Sequence, residues 1–166
     1  MNDRTKAHGI AAYGTMAWLR GHRPKQLSMF HAPTHHGVPE PKTREHFEDA
    51  IKSLLSLPTG EMLHLGGEAR HHIVADRDEV RRALELAGRL GPGDPVDHLE
   101  RVYDDLHATL ASPKIWHCTT RLADTLLKER LLSGERCASV LKAAMIDPSA
   151  PKFGPAPATR RITVAP

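Results

Sequence analysis

The sequence predicts a mainly α fold, a small helical domain of about five helices with a β-hairpin and flexible arms at both ends. Aromatic residues make up 4% of the chain against 40% hydrophobic, so the core must be built from Leu, Ala, Val and Ile, which suits packed helices. Apolar residues recur at helical spacing from Phe47 to Met145, whereas the prolines gather between Pro24 and Pro41 and again from Pro148 onward. A length of 166 residues fits one domain.

Residues 1–42 contain Gly9, Gly14, Gly21, Pro24, Pro33, Gly37, Pro39 and Pro41, punctuation that predicts an arm with at most a short turn around Tyr13, Met16, Ala17 and Trp18. The helical domain is expected over 43–147. Its first helix has Thr43 as N-cap, stacks Phe47, Ala50, Ile51, Leu54 and Leu55 on one side, and stops at Pro58-Thr59-Gly60. EMLHL and RHHIVA, joined by Gly66-Gly67-Glu68-Ala69, read as the hairpin. Asp76 and Glu79 precede a stripe of Val80, Ala83, Leu84, Ala87 and Leu90, halted by Gly91-Pro92-Gly93. Asp94 as N-cap with Pro95 at the first helical position opens the next helix, with Leu99, Val102, Tyr103, Leu106 and Leu110, and Ser112-Pro113 ends it. A fourth helix is expected from Thr119 or Thr120 through Leu131 to Gly134, and a fifth carries Cys137, Val140, Leu141, Ala144 and Met145. The Pro-rich tail, 148–166, has too little apolar content to offset the entropy of ordering it.

A net charge of +3 is a mild excess that predicts no direct sequence-specific binding to nucleic acid. No run approaches the roughly 18 apolar residues of a membrane span, and Asp3 interrupts the N-terminus where a signal peptide would be apolar, so a cytoplasmic location is expected. Cys118 and Cys137 form no CxxC pair and read as reduced helical thiols. There is no phosphate-binding glycine loop, no HExxH and no GxSxG elbow, hence no expected cofactor and no enzyme. His31, His35 and His36 in HAPTHHG are the tightest histidine group. A His-dependent metal site is the chemistry they suggest, but Pro33 inside the group and the lack of a fourth ligand at a usual spacing favour a solvated loop without metal. His71 and His72 fall in the hairpin, where a structural role is expected.

The informative stretch is Gln26-Leu27-Ser28-Met29-Phe30, between Pro24 and Pro33. Three apolar side chains in an arm without a core of its own need another surface, and flanking prolines reduce the freedom lost when an extended peptide docks. The alternative is a short edge strand in which Leu27, Met29 and Phe30 pack on the helices. QLSMF resembles the bacterial sliding-clamp-binding motif at all five positions. The resemblance implies that Gln26 hydrogen-bonds at one subsite of the DNA polymerase III β sliding clamp, that Met29 and Phe30 fill its hydrophobic pocket, that Leu27 covers the rim and that Ser28 faces solvent. Arg23 and Lys25 would steer encounter with an acidic clamp surface.

A small helical body with this peptide near its N-terminus is similar in plan to the SocB-type toxins, clamp-directed inhibitors of replication elongation. That resemblance implies competition with polymerase and other clamp clients, and partnership with a SocA-like antitoxin that acts as adaptor to the ClpXP protease. A clamp-tethered accessory repair or polymerase-loading factor is the other expectation.

Overall fold

A computed structural model describes residues 2–31, 41–66, 73–74, 77–149 and 162–163. The domain is mainly helical, with six helices among the described residues. Its organising element is α1 (Asp3–Leu19), which the glycine-punctuated sequence did not suggest. Asn2 starts it by accepting the Thr5 amide at 2.8 Å. Ala12 and Met16 on one side join the core formed by α2 (Arg44–His64), α3 (Asp78–Gly88) and α4 (Pro95–Ala111). Ala7, Ile10 and Ala11 on the other join a second core, with α5 (Pro113–Glu129), α6 (Gly134–Met145) and two short strands, β1 (Gln26–Ser28) and β3 (Leu131–Ser133). A helix buried on opposite faces has no polar side and therefore no amphipathic stripe. Over 3–19 the expected arm is thus a central helix.

Gly9 of α1 and Gly60 of α2 serve the crossing of the two helices. A methyl group on Gly60 would stand 2.6 Å from the His8 carbonyl oxygen, and one on Gly9 would stand 2.9 Å from the Leu57 carbonyl oxygen. Only hydrogen at both positions lets the two backbones approach so closely.

Thr43 caps α2 as expected, accepting the His46 amide at 3.3 Å, but the helix does not stop at Pro58. An internal proline costs about 3 kcal/mol or more. Here the stretch from Leu54 to Met62 is buried, and the Ser56 and Thr59 hydroxyls, each 2.6 Å from a carbonyl one turn back, satisfy neighbouring groups. The EMLHL half of the expected hairpin is consequently the last turns of α2. In place of a hairpin, β2 (Ile73–Val74) pairs in parallel with β4 (Ile162–Thr163), which brings part of the tail back to the domain. His71 and His72 lie outside the described residues, as does Asp76; the residue at the N-cap of α3 is Arg77.

Asp94 caps α4 through the Val96 amide at 2.8 Å, with Pro95 at the first helical position. Ser112 ends α4 and begins α5, so α5 starts at Pro113, before Thr119. It also ends sooner than the leucine pattern suggests, because Arg130 adopts a left-handed φ of 64° and turns Leu131–Ser133 into a strand. Ser133 then caps α6, accepting the Arg136 amide at 3.1 Å. No helix among the described residues is long and apolar enough to cross a membrane.

Candidate functional site

The segment Gln26–Phe30 follows α1 by way of an exposed turn at Gly21, His22 and Arg23. It is not a free arm. β1 runs antiparallel to β3 with Gln26 opposite Ser133, Leu27 opposite Leu132 and Ser28 opposite Leu131. Two hydrogen bonds extend the pairing: the Met29 amide donates to the Arg130 carbonyl at 2.9 Å, and the Gly134 amide to the Lys25 carbonyl at 3.0 Å. Strand alternation sends Leu27 and Met29 inward, where they are 1% and 3% exposed. Leu27 packs against Gly14 of α1 and near Leu122 of α5, so the absence of a side chain at Gly14 makes its seat.

The opposite phase carries Gln26 and Phe30 outward. Phe30 is 67% exposed, and the Arg130 guanidinium carbon lies 5.6 Å from its ring centroid. That guanidinium also pairs with Asp3 at 2.9 Å, and the bond together with the charge holds the Asp3 carboxyl below the usual carboxylate range. Ser28, expected to face solvent, is 5% exposed, and its hydroxyl accepts the Phe30 amide at 3.1 Å. Arg23 and Lys25 are exposed, as steering charges would be. Leu131, beside the segment, is half exposed. Of the five motif residues, then, the two ends are open to solvent and the middle three are covered. The edge-strand alternative describes Leu27 and Met29 but not Phe30.

His31 is exposed, while His35 and His36 lie outside the described residues; no group of three metal-ligating side chains occurs among the described residues. Cys118 and Cys137 are buried within α5 and α6, and burial pushes the Cys137 thiol up to about 11. Such a thiol carries almost no thiolate at neutral pH.

Three polar clusters escaped the sequence reading because their members are far apart in the chain. His8 of α1 stacks on His64 of α2 with ring centroids 3.9 Å apart, and Trp116 of α5 lies 5.6 Å from His8. Burial lowers the pKa of both histidines, and His8 Nδ1 donates to the Arg4 carbonyl at 2.8 Å. Glu61, 5% exposed, holds Arg77 at 2.5 Å and so ties α2 to the start of α3. Finally, His117 Nε2 is 3.0 Å from Asp147, whose other oxygen accepts the Ser149 hydroxyl at 2.7 Å. Serine and histidine both address the carboxylate, so the imidazole is not placed to take the hydroxyl's proton. The contact instead fastens the end of α6 to α5.

Comparison with protein-family models, with curated proteins and with solved structures found no match to this chain.

Proposed function

We propose that the protein binds a bacterial β sliding clamp through Gln26–Phe30 and inhibits replication by occupying the pocket that polymerase and other clamp clients share. The observation that carries this reading is the five-residue match QLSMF with its terminal members, Gln26 and Phe30, open to solvent. Gln26 supplies a directional hydrogen bond, Met29 and Phe30 are the apolar anchors, and no chemical step is needed. Control of abundance by a SocA-like adaptor and ClpXP belongs to the proposal through the SocB-type resemblance alone.

Burial of Leu27 and Met29 sets a condition on this activity, since both must leave the core before a pocket can take Met29. Withdrawing two such side chains gives up about 3–6 kcal/mol of burial. About four strand hydrogen bonds contribute roughly 2–6 kcal/mol more. Freeing the backbone of Lys25–Phe30 returns about 1–2 kcal/mol per residue, which for six residues is about 6–12 kcal/mol. The opposing totals are of one size, so docked and released strands lie within a few kcal/mol of each other. Every 1.4 kcal/mol in favour of the docked strand weakens clamp binding about tenfold.

The test is a titration of purified β clamp with a synthetic peptide of residues 23–33 and with the full chain. The reading predicts a peptide affinity in the micromolar range, about 8 kcal/mol, and a full-chain affinity no tighter unless the helical body adds contacts. Phe30→Ala should weaken both by about 30-fold, the loss of a 2 kcal/mol anchor. A peptide that fails to bind at about 1 mM, some 4 kcal/mol, would sink the reading. That outcome would favour a second reading, supported by the burial of Leu27 and Met29, in which the segment is only a structural strand.

A further inference from the structure

We propose that β1 is an autoinhibitory latch: paired with β3 it withholds Leu27 and Met29 from the clamp, and its release exposes the whole recognition segment. This rests on the clamp reading and adds the regulation of the same site. One end of the latch is clasped by Arg130. Arg130 holds a left-handed φ of 64°, which turns the chain out of α5 and presents its carbonyl to the Met29 amide at 2.9 Å. Its guanidinium lies against the outward face of the same segment, 5.6 Å from the Phe30 ring centroid. The 2.9 Å ion pair with Asp3 anchors that guanidinium to the start of α1. Backbone and side chain of Arg130 therefore grip the two anchor residues from opposite sides, and they do so from a fixed helix end.

The far end of the latch depends on Gly134. The Pro24 carbonyl packs where a side chain at 134 would begin, and the Gly134 amide bonds to Lys25 at 3.0 Å. Between the two clasps only three residue pairs hold the strand. Behind it, Gly21 with its φ of 77° closes α1, its amide bonded to the Trp18 carbonyl at 3.0 Å and the His22 amide to the Ala17 carbonyl at 2.9 Å, and exposed Arg23 follows as the link on which the segment can pivot without moving α1. A recognition segment held by a two-stranded sheet, clasped at both ends and linked to α1 through exposed Arg23, can leave the body without unfolding the helices.

A reversible covalent lock tests this on the full chain. Met29–Arg130 and Lys25–Gly134 lie at hydrogen-bonded positions, so the ladder's alternation makes Ser28–Leu131 a non-bonded pair. Such pairs have Cα atoms about 4.5 Å apart, within reach of a disulfide. Ser28→Cys with Leu131→Cys therefore staples the latch shut when oxidised, at the motif position with no anchoring role. The latch predicts that the oxidised variant binds clamp at least about 100-fold more weakly than the same protein reduced with dithiothreitol. Arg130→Gly is an independent probe, because glycine accepts the left-handed φ while the contacts to Phe30 and Asp3 disappear. It should bind about two- to fivefold more tightly than the unaltered chain, the equivalent of one lost cation–π contact.

Equal binding by oxidised and reduced protein would overturn the latch. So would a full chain that stays silent, reduced and with Arg130→Gly, beside a peptide of residues 23–33 that binds, for β1 would then be a permanent strand. In both cases the clamp reading of the segment survives if Phe30→Ala weakens whatever binding is seen. A silent peptide removes the clamp reading, and the latch with it.

Discussion

Replacing Gly60 by alanine probes the contact on which the whole domain turns. The added methyl would meet the His8 carbonyl oxygen at 2.6 Å, the Gly9 Cα at 3.2 Å and the Ala12 Cβ closer still. None of these is the free end of a flexible side chain, so relief requires α1 and α2 to move apart. Overpacking of this kind costs about 1–3 kcal/mol, and the rigid neighbours put Gly60→Ala at the upper end. Alanine returns about 0.8–1.0 kcal/mol of helix propensity, leaving a net loss of about 2 kcal/mol. Gly14→Ala is the internal control: its methyl would meet Leu27 Cδ1 at 2.6 Å and Leu122 Cδ2 at 3.3 Å, both side-chain ends that can rotate. There the propensity gain offsets about 1 kcal/mol of crowding, for a net effect near zero. Urea unfolding followed by circular dichroism reads both as midpoint shifts at constant slope. A Gly60→Ala protein as stable as the unaltered chain would refute the close crossing of α1 and α2.

Three further outcomes follow from the packing. Met29→Ala should destabilise the domain by about 2–3 kcal/mol, because the side chain is 3% exposed and release of the strand caps the loss at a few kcal/mol, whereas Phe30→Ala should cost at most about 1 kcal/mol, the contact of its ring with Arg130. Arg77→Ala strands the buried Glu61 carboxylate and should cost about 3–5 kcal/mol; Glu61→Gln added to it should recover part of the loss in the same unfolding assay. The pKa of His8 and of His64 is lowered by burial, so the unfolded chain binds protons first as pH falls below 6.5 and stability drops with it. Urea midpoints should therefore decline between pH 7 and pH 5.5, and the double substitution His8→Gln, His64→Gln should flatten that decline.

What the sequence revealed was what local chemistry determines. Helix α4 was legible because Asp94, Pro95 and a single-sided stripe from Leu99 to Leu110 all specify the same helix, and Thr43 marked the start of α2 in the same way. Helix α1 was illegible because Gly9 makes room for the backbone of α2, Gly14 for the side chain of Leu27, and its apolar residues face two cores. Pro58 misled for a related reason: buried neighbours on both sides outweigh its local penalty. At the candidate site the motif was visible and its covering was not. The covering comes from Leu132, more than a hundred positions along the chain, in a leucine run that looked helical. One local signal could have exposed it, since Ser133 ahead of Gly134 and Glu135 is a cap and implies a chain break just before α6.

The most direct test of the account is amide hydrogen exchange on the full chain, alone and with excess purified β clamp. In the free protein the Gly134 amide is bonded to the Lys25 carbonyl, and that bond exists only while β1 is docked. If the clamp takes Gln26–Phe30, exchange at Gly134 should accelerate on adding clamp, while the buried amides around Leu99 and Leu106 of α4 keep their protection. Clamp binding with Gly134 protection unchanged, or no binding at any clamp concentration, would contradict the account.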